Sequence, residues 1–197
     1  MMLLWSGDGA WRAESAEVEL GTDRLTARGT QFGADPLPYR ADYELETGAE
    51  WVTRLLQVTV VGDGWRRSLR LWSDEAGQWR CRTSTDGEVD LPQPGGDLTA
   101  VAGALDCDLA YSPLTNVMPV LRHGLHRQPG TVDFMTAWVS LPDLAVHASP
   151  QRYQSVSSDE SGAVVRYISL DSDFVADLQL DTDGLAVDYP GIAKRVG

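Results

Sequence analysis

Residues 105–122 read LDCDLAYSPLTNVMPVLR, and within these eighteen positions fall paired acids, a cysteine, a turn signal and a helix-start signal. Read as a strand, residues 105–111 place Asp106 and Asp108 on one face and Leu105, Cys107 and Leu109 on the other, because side chains alternate across the pleat. That predicts a half-buried strand with an acidic outer or lumenal edge. Ser112 and Pro113 then break the ladder, since proline has no N–H to donate. Thr115 or Asn116 suits the N-cap of a short helix, and Pro119 falls where a first turn tolerates it. A helix is expected just after Ser112.

On either side of this joint the chain alternates with period two. Residues 16–20 put three apolar side chains on one face and two glutamates on the other, and residues 21–23 supply a turn before a returning strand from Leu25. After a loop carrying Gly33, Pro36 and Pro38, one face of a long strand holds Tyr39, Ala41, Tyr43 and Leu45. Residues 51–61 end in a β-branched run, residues 62–64 turn, 65–72 return, and a turn at 74–77 leads into 78–83, which makes a meander. Residues 86–97, with Pro92, Pro94, Gly95 and Gly96, read as a connection or flap. Beyond the joint, strands are expected at 130–139, at 144–156 with Pro150 marking an edge or bulge, at 163–170, 174–180 and 185–189. Pro190 and Gly191 are expected to end the pairing before a basic tail, Lys194-Arg195. About a dozen short strands and one helix make an all-β (mainly β) protein, a barrel, roll or sandwich, on a single domain over residues 1–197. A sheet that curls around one helix leaves an apolar groove between the two.

The composition bounds the function. Seven Trp, six Tyr and three Phe among 43% apolar residues can offset the entropy of ordering. A formal charge of −13 repels phosphate backbones, so no nucleic-acid partner is expected. The N-terminal MMLLWSGDGAW has no basic leader, and no window nears the ~20 apolar residues of a membrane span, which gives an expectation of a cytoplasmic chain with no integral membrane segment. Cys81 and Cys107 are read as two free buried thiols. His123, His126 and His147 make no metal constellation; the first two are read as a surface pair, and neither metal nor cofactor is expected.

The ordered set Tyr39-x3-Tyr43, Trp51-x-Thr53-Arg54, Leu69-x-Leu71, Gly77-x-Trp79, Asp106-x-Asp108-x3-Ser112-Pro113-x-Thr115-Asn116-x2-Pro119-x2-Arg122, Gln151-x-Tyr153 and Asp183-Gly184-Leu185 running into Asp188-Tyr189-Pro190-Gly191 resembles the bacterial glycolipid-binding protein family. The resemblance spans nearly the whole chain. It implies a spiral β-roll, one large antiparallel sheet curled around one helix, similar in shape to the bacterial lipoprotein-localisation factors. It also implies binding of a glycolipid or other apolar small molecule without catalysis. The ligand-binding candidates are Asp106, Asp108, Asn116, Arg122 and Tyr189, with the ligand between sheet and helix.

Two other readings compete. As a glycosidase-like hydrolase the chain would use Asp106 and Asp108, ~6.5–7 Å apart on one strand; side chains projecting in parallel from one strand, however, approach a sugar from one side only. Structural roles suit them better: one accepts backbone N–H bonds at the Ser112 turn and the other pairs with Arg122 or Arg54. As an interaction module, the groove is filled by the protein's own side chains or by a second subunit in a homodimer.

Overall fold

In the computed structural model, which describes residues 1–9, 11–74 and 77–196, the alternating segments join one 14-stranded sheet. The strands are β1 (Met2–Gly7), β2 (Arg12–Leu20), β3 (Leu25–Gly33), β4 (Tyr39–Thr47), β5 (Thr53–Gly62), β6 (Trp65–Ser73) and β7 (Trp79–Asp86). After them come β8 (Asp106–Leu109), β9 (Thr131–Val139), β10 (Val146–Asp159), β11 (Gly162–Ser169), β12 (Val175–Leu180), β13 (Ala186–Tyr189) and β14 (Ala193–Arg195). Of the turn expected at 74–77, Glu75 and Ala76 lie outside the described residues. Strand neighbours in sequence are neighbours in space on each half, and the order runs from β7 back to β1, then from β14 back to β8. The halves meet where β1 pairs with β14, at Trp5↔Arg195, Ser6↔Lys194 and Gly7↔Ala193.

Both strands of that seam depart from the expectations. Lys194-Arg195 is no free tail, because residues 190–192 turn the chain back and Arg195 bonds Asp181 at 2.7 Å. In β1 the run of apolar residues hides a period of two: Leu3 and Trp5 are buried while Met2 and Leu4 are exposed. The Trp5 indole N–H donates to the Ala186 carbonyl at 3.0 Å, so β1 is held by packing as well as by its ladder.

The antiparallel expectation holds for every paired strand but one. β8 and β9 run parallel, with Asp106 opposite Thr136 and Leu109 opposite Val139. A parallel neighbour cannot be reached by a hairpin; the chain must travel back the length of the strand, which takes a dozen residues or more. Residues 110–130 do this through a 3-10 turn, Pro113–Asn116, and helix α1 (Val117–His123), whose N-cap position is Asn116, one of the two residues expected there. The helix ends at Gly124, whose φ of 63° is the left-handed conformation glycine adopts at little cost. Val117, Met118, Val120 and Leu121 are buried, so the crossover fills the inner side of the curled sheet with its own apolar side chains.

Because a connection covers it, β8 is buried at all four positions, not half-buried with an acidic outer edge. The connection from β7, residues 87–105, also serves as a cover: Val101 is fully buried, and the buried Arg67 donates to the carbonyls of Leu91, Pro92 and Asp143. Pro150 lies within interior strand β10, at neither an edge nor a bulge; its carbonyl accepts from Leu170 where pairing with β11 runs out, so its missing N–H costs little. His126 is buried against Leu121 and Gly184, since the turn at Gly124 folds it inward, and so it forms no surface pair with His123. Both cysteines are free, Cys107 buried and Cys81 half-buried.

Tyr39, Ala41, Tyr43 and Leu45 are all buried, as their alternation predicts. Two of these rings lie over glycines directly across the ladder, Tyr43 opposite Gly29 and Tyr39 opposite Gly33, and Trp65 does the same over Gly62. A Cβ added at Gly29 would sit 2.3 Å from the Tyr43 ring. Covering a strand glycine with an aromatic ring restores the packing the missing side chain forfeits. Gly29→Ala should therefore destabilise the protein by roughly 2 kcal/mol, lowering Tm by about 5 °C in a thermal melt; an unchanged Tm would mean that the ring does not need this space.

Candidate functional site

β8 and β9 end, and β10 and β12 begin, at one end of the sheet, where the turns after β8, β11 and β13 also lie. A cavity of about 520 Å³ opens among these chain segments. Its floor is polar. Asp108 comes from β8, Ser112 from the turn that stops β8, and Asn116 from the last position of the 3-10 turn. Its walls are largely aromatic, with Trp138 from β9 and Tyr167, Phe174 and Tyr189 from β11 to β13. Tyr167 lies 5.8 Å from Phe174 and 6.0 Å from Tyr189, and Phe174 lies 6.2 Å from Tyr189, so three rings form one tilted surface. Trp138 pairs with His147 at 5.6 Å on another side. Ser149, Ser169, Asp171 and Ser172 complete the polar rim.

Asp108 is buried and accepts two hydrogen bonds from neutral donors, the Thr115 hydroxyl at 2.8 Å and the Gln151 amide at 2.9 Å. Burial pushes its carboxyl from 3.8 up to about 6, while these bonds pull it back down. Among the described residues no backbone N–H bonds this carboxylate, contrary to what was expected for one of the acids; side chains supply its donors instead. Asn116 caps nothing with its side chain, and its amide lines the cavity with no hydrogen bond to another described residue. Tyr111, at the rim, has a φ of 64°, a conformation strained for a bulky residue, and the Arg12 guanidinium lies over its ring at 3.7 Å.

Asp106 and Arg122 do not line this cavity. Arg122 holds both oxygens of Asp106 at 2.5 and 2.8 Å and donates to the carbonyls of Glu50 and Trp51. Of the five candidates the cavity thus gathers Asp108, Asn116 and Tyr189, and the other two form a buried clasp between α1, β8 and the turn after β4. The two acids of β8 have separate partners and separate surroundings. The groove expected between helix and sheet is occupied by Met118 and its neighbours, and the cavity opens beside the start of the helix instead. Among the described residues no group of three His, Cys, Asp or Glu is placed to hold a metal ion. No helix among them is long and apolar enough to cross a membrane.

Sequence reasoning missed Glu14. Its carboxylate is buried behind Ser112 and accepts from the Ser112 hydroxyl at 2.7 Å, the Tyr43 hydroxyl at 2.5 Å and the Gln31 amide at 3.3 Å. Burial lifts it from 4.5 to about 7, against the pull of those three donors. The signal was available: carried back two residues, the alternation of Ala16 and Val18 puts Glu14 on the buried face. No such local signal brings Trp138, Tyr167 and Phe174 together, because they lie on two strands and in the turn before β12.

The family described as "Putative glycolipid-binding" matches residues 2–195. Among solved structures, the crystal structure of a DUF1089 family protein from Pseudomonas aeruginosa is similar to this chain. It has 29% sequence identity and a TM-score of 0.70, and the match covers 93% of this chain and 92% of that one. No curated protein matches the chain.

Truncating the clasp should be costly, because it leaves Asp106 buried without its cation. Arg122→Met is expected to lose about 3–5 kcal/mol in urea denaturation, and Asp106→Leu combined with it to recover part of that loss. Glu14 sets a pH dependence of the opposite kind from a paired surface acid. Folding raises its value from 4.5 to about 7, so the folded state holds more protons in that window. Its contribution is complete below pH 4.5 and is lost as the pH rises through about 7. Tm should fall by several degrees across that range, and Glu14→Gln should flatten the profile; an equal slope in the variant would place the titration elsewhere.

Proposed function

Because the chain belongs to the glycolipid-binding family, we propose that its cavity binds the sugar of a glycolipid and performs no chemistry on it. One observation carries this reading: aromatic rings and hydrogen-bonding side chains converge on one cavity of about 520 Å³. That size is in the range of small-molecule sites. A sugar ring presents C–H faces and a hydroxyl edge, so it needs flat apolar surface beside polar groups that both donate and accept. Tyr167, Phe174, Tyr189 and Trp138 supply the surface. Asp108 accepts, the Asn116 amide does both, and the serines at the rim adapt to either role.

An acyl chain has a different requirement, continuous apolar surface. The inner face of α1 is packed by its own side chains, so we place the acyl portion outside, leading away over Leu170, Phe174 and Val175, which are exposed where β11 turns into β12. In this arrangement the sugar provides specificity and the chain provides contact area. The long apolar ligand enclosed by helix and sheet gives way to a polar headgroup held at the end of the sheet.

Native mass spectrometry tests this on the purified protein incubated with a total lipid extract from its expression host. The expected adduct is a lipid that loses a sugar on fragmentation. Trp138→Ala and Asn116→Ala should each reduce its retention about ten-fold, as the loss of one stacking or hydrogen-bonding contact would, and Asn116→Ala, which removes no hydrogen bond to a described residue, should do so with little change in Tm. Retention of sugar-free lipids alone, or of nothing, would overturn the proposal.

A further inference from the structure

The charge of the cavity narrows the headgroup it can hold, an inference that rests on the glycolipid reading. Among the described residues, two carboxylates line the cavity, Asp108 and Asp171, and no lysine or arginine does. The arginines around it are engaged elsewhere. Arg12 lies over the Tyr111 ring, outside the lining, and Arg122 is bound to Asp106 and to two carbonyls. His147, the one imidazole in the lining, lies tilted against the Trp138 ring at 5.6 Å and makes no hydrogen bond to Asp108.

Asp108 is the central feature. It is 8% exposed, both its oxygens accept from neutral donors, and none of the described residues supplies it with a cation. A carboxylate has about four acceptor sites, so each oxygen retains capacity for a further donor. A sugar hydroxyl or an amino-sugar nitrogen meets that need. A phosphate, sulfate or carboxylate would bring a second negative charge beside a buried one, where low dielectric makes the repulsion large. Asn116 supplies an independent observation. The residue is 4% exposed, and its side chain lines the same cavity and bonds no other described residue, so a donor and an acceptor wait there side by side. Hydroxyls satisfy both at once; an anionic oxygen satisfies only the N–H.

We infer that the cavity selects lipids whose sugar is neutral or amino and rejects those whose sugar carries an anionic group. The selection lies in unpaired acceptor capacity and in the lack of a cation to receive an anion.

The test is flotation with phosphatidylcholine vesicles carrying monogalactosyl-, digalactosyl- or glucosyl-diacylglycerol, or sulfoquinovosyl-diacylglycerol, whose sugar bears a sulfonate. The protein's charge of −13 would by itself disfavour an anionic vesicle. The neutral-sugar vesicles therefore also carry phosphatidylglycerol at the mole fraction of the sulfonolipid, so that surface charge is equal. At least one neutral glycolipid should bind on the order of 100-fold more tightly than the sulfonolipid. Asp108→Asn should shrink that ratio, and Asp171→Asn, at an exposed position, provides a second reading should the first variant fold poorly. Equal or tighter binding to the sulfonolipid would overturn the inference and leave the glycolipid reading standing. No retention on any vesicle would overturn both.

Discussion

The guanidinium of Arg122 is the side chain on which the shape of the molecule depends. It comes from the crossover helix, grips both oxygens of Asp106 on β8, and donates to the carbonyls of Glu50 and Trp51 in the turn after β4. One planar fork with five donors thus binds the last strand of one half of the sheet to the first half. Exposed, such a pair would contribute little; here the side chains are 8% and 1% exposed, and losing either partner strands a charge in low dielectric. Around it the backbone follows. The Thr53 N–H bonds the Leu105 carbonyl and the Cys107 N–H bonds the Thr53 hydroxyl, so β8 is drawn against the start of β5 and the open sheet curls almost onto itself.

Three of the links between the two halves differ in kind. The seam between β1 and β14 is a backbone ladder, the Arg122 clasp is ionic, and the contact of Glu14 with Ser112 is a hydrogen bond between β2 and the turn after β8. Their chemistry suits their places. The seam is long-range in sequence yet locally ordinary, whereas the other two bury polar groups that must be satisfied where they stand. Glu14 takes three donors and Arg122 four acceptor contacts, and each network fixes the position of a residue next to the cavity, Ser112 in one case and the strand leading to Asp108 in the other. Rigidity at the site is thus borrowed from interactions outside it.

Legibility in the sequence follows the range of each interaction. The face of β4, the turn at residues 62–64 and the helix after Ser112 are local features, and period two or a proline suffices to read them. The pairing of an acid on β8 with Arg122 was readable because both lie on one short joint. Asp106 and Asp108 themselves were readable as acids on one strand, but their burial was not, since the covering crossover arises from a parallel pairing that alternation does not signal. Period two tells which face a side chain takes and not which strand lies beside it. For that reason the Trp5 and Arg195 seam, and the meeting of Tyr167, Phe174 and Tyr189, lay beyond a residue-by-residue reading.

The place of the cavity follows from the crossover connection between β8 and β9. Elsewhere the strands are joined mostly by short turns that close over the ends of their pairs. β8 cannot end that way, because its neighbour in space is parallel and the chain must leave through Ser112 and the helix. Its last residues therefore diverge from the neighbouring strand ends, and Tyr111 takes up the change of direction in a left-handed conformation steadied by Arg12. The gap that remains is bounded below by the polar residues that stop a strand and start a helix, and at the sides by side chains on the ends of β9 to β13. Asp108 and Ser112 hold this joint through the Thr115 hydroxyl and the Glu14 carboxylate, whereas the Asn116 side chain caps nothing, and the aromatic residues come from strands that accommodate them. Under the proposed reading, the polar and aromatic residues gathered at this joint are what a ring with two apolar faces and a hydroxyl edge would meet.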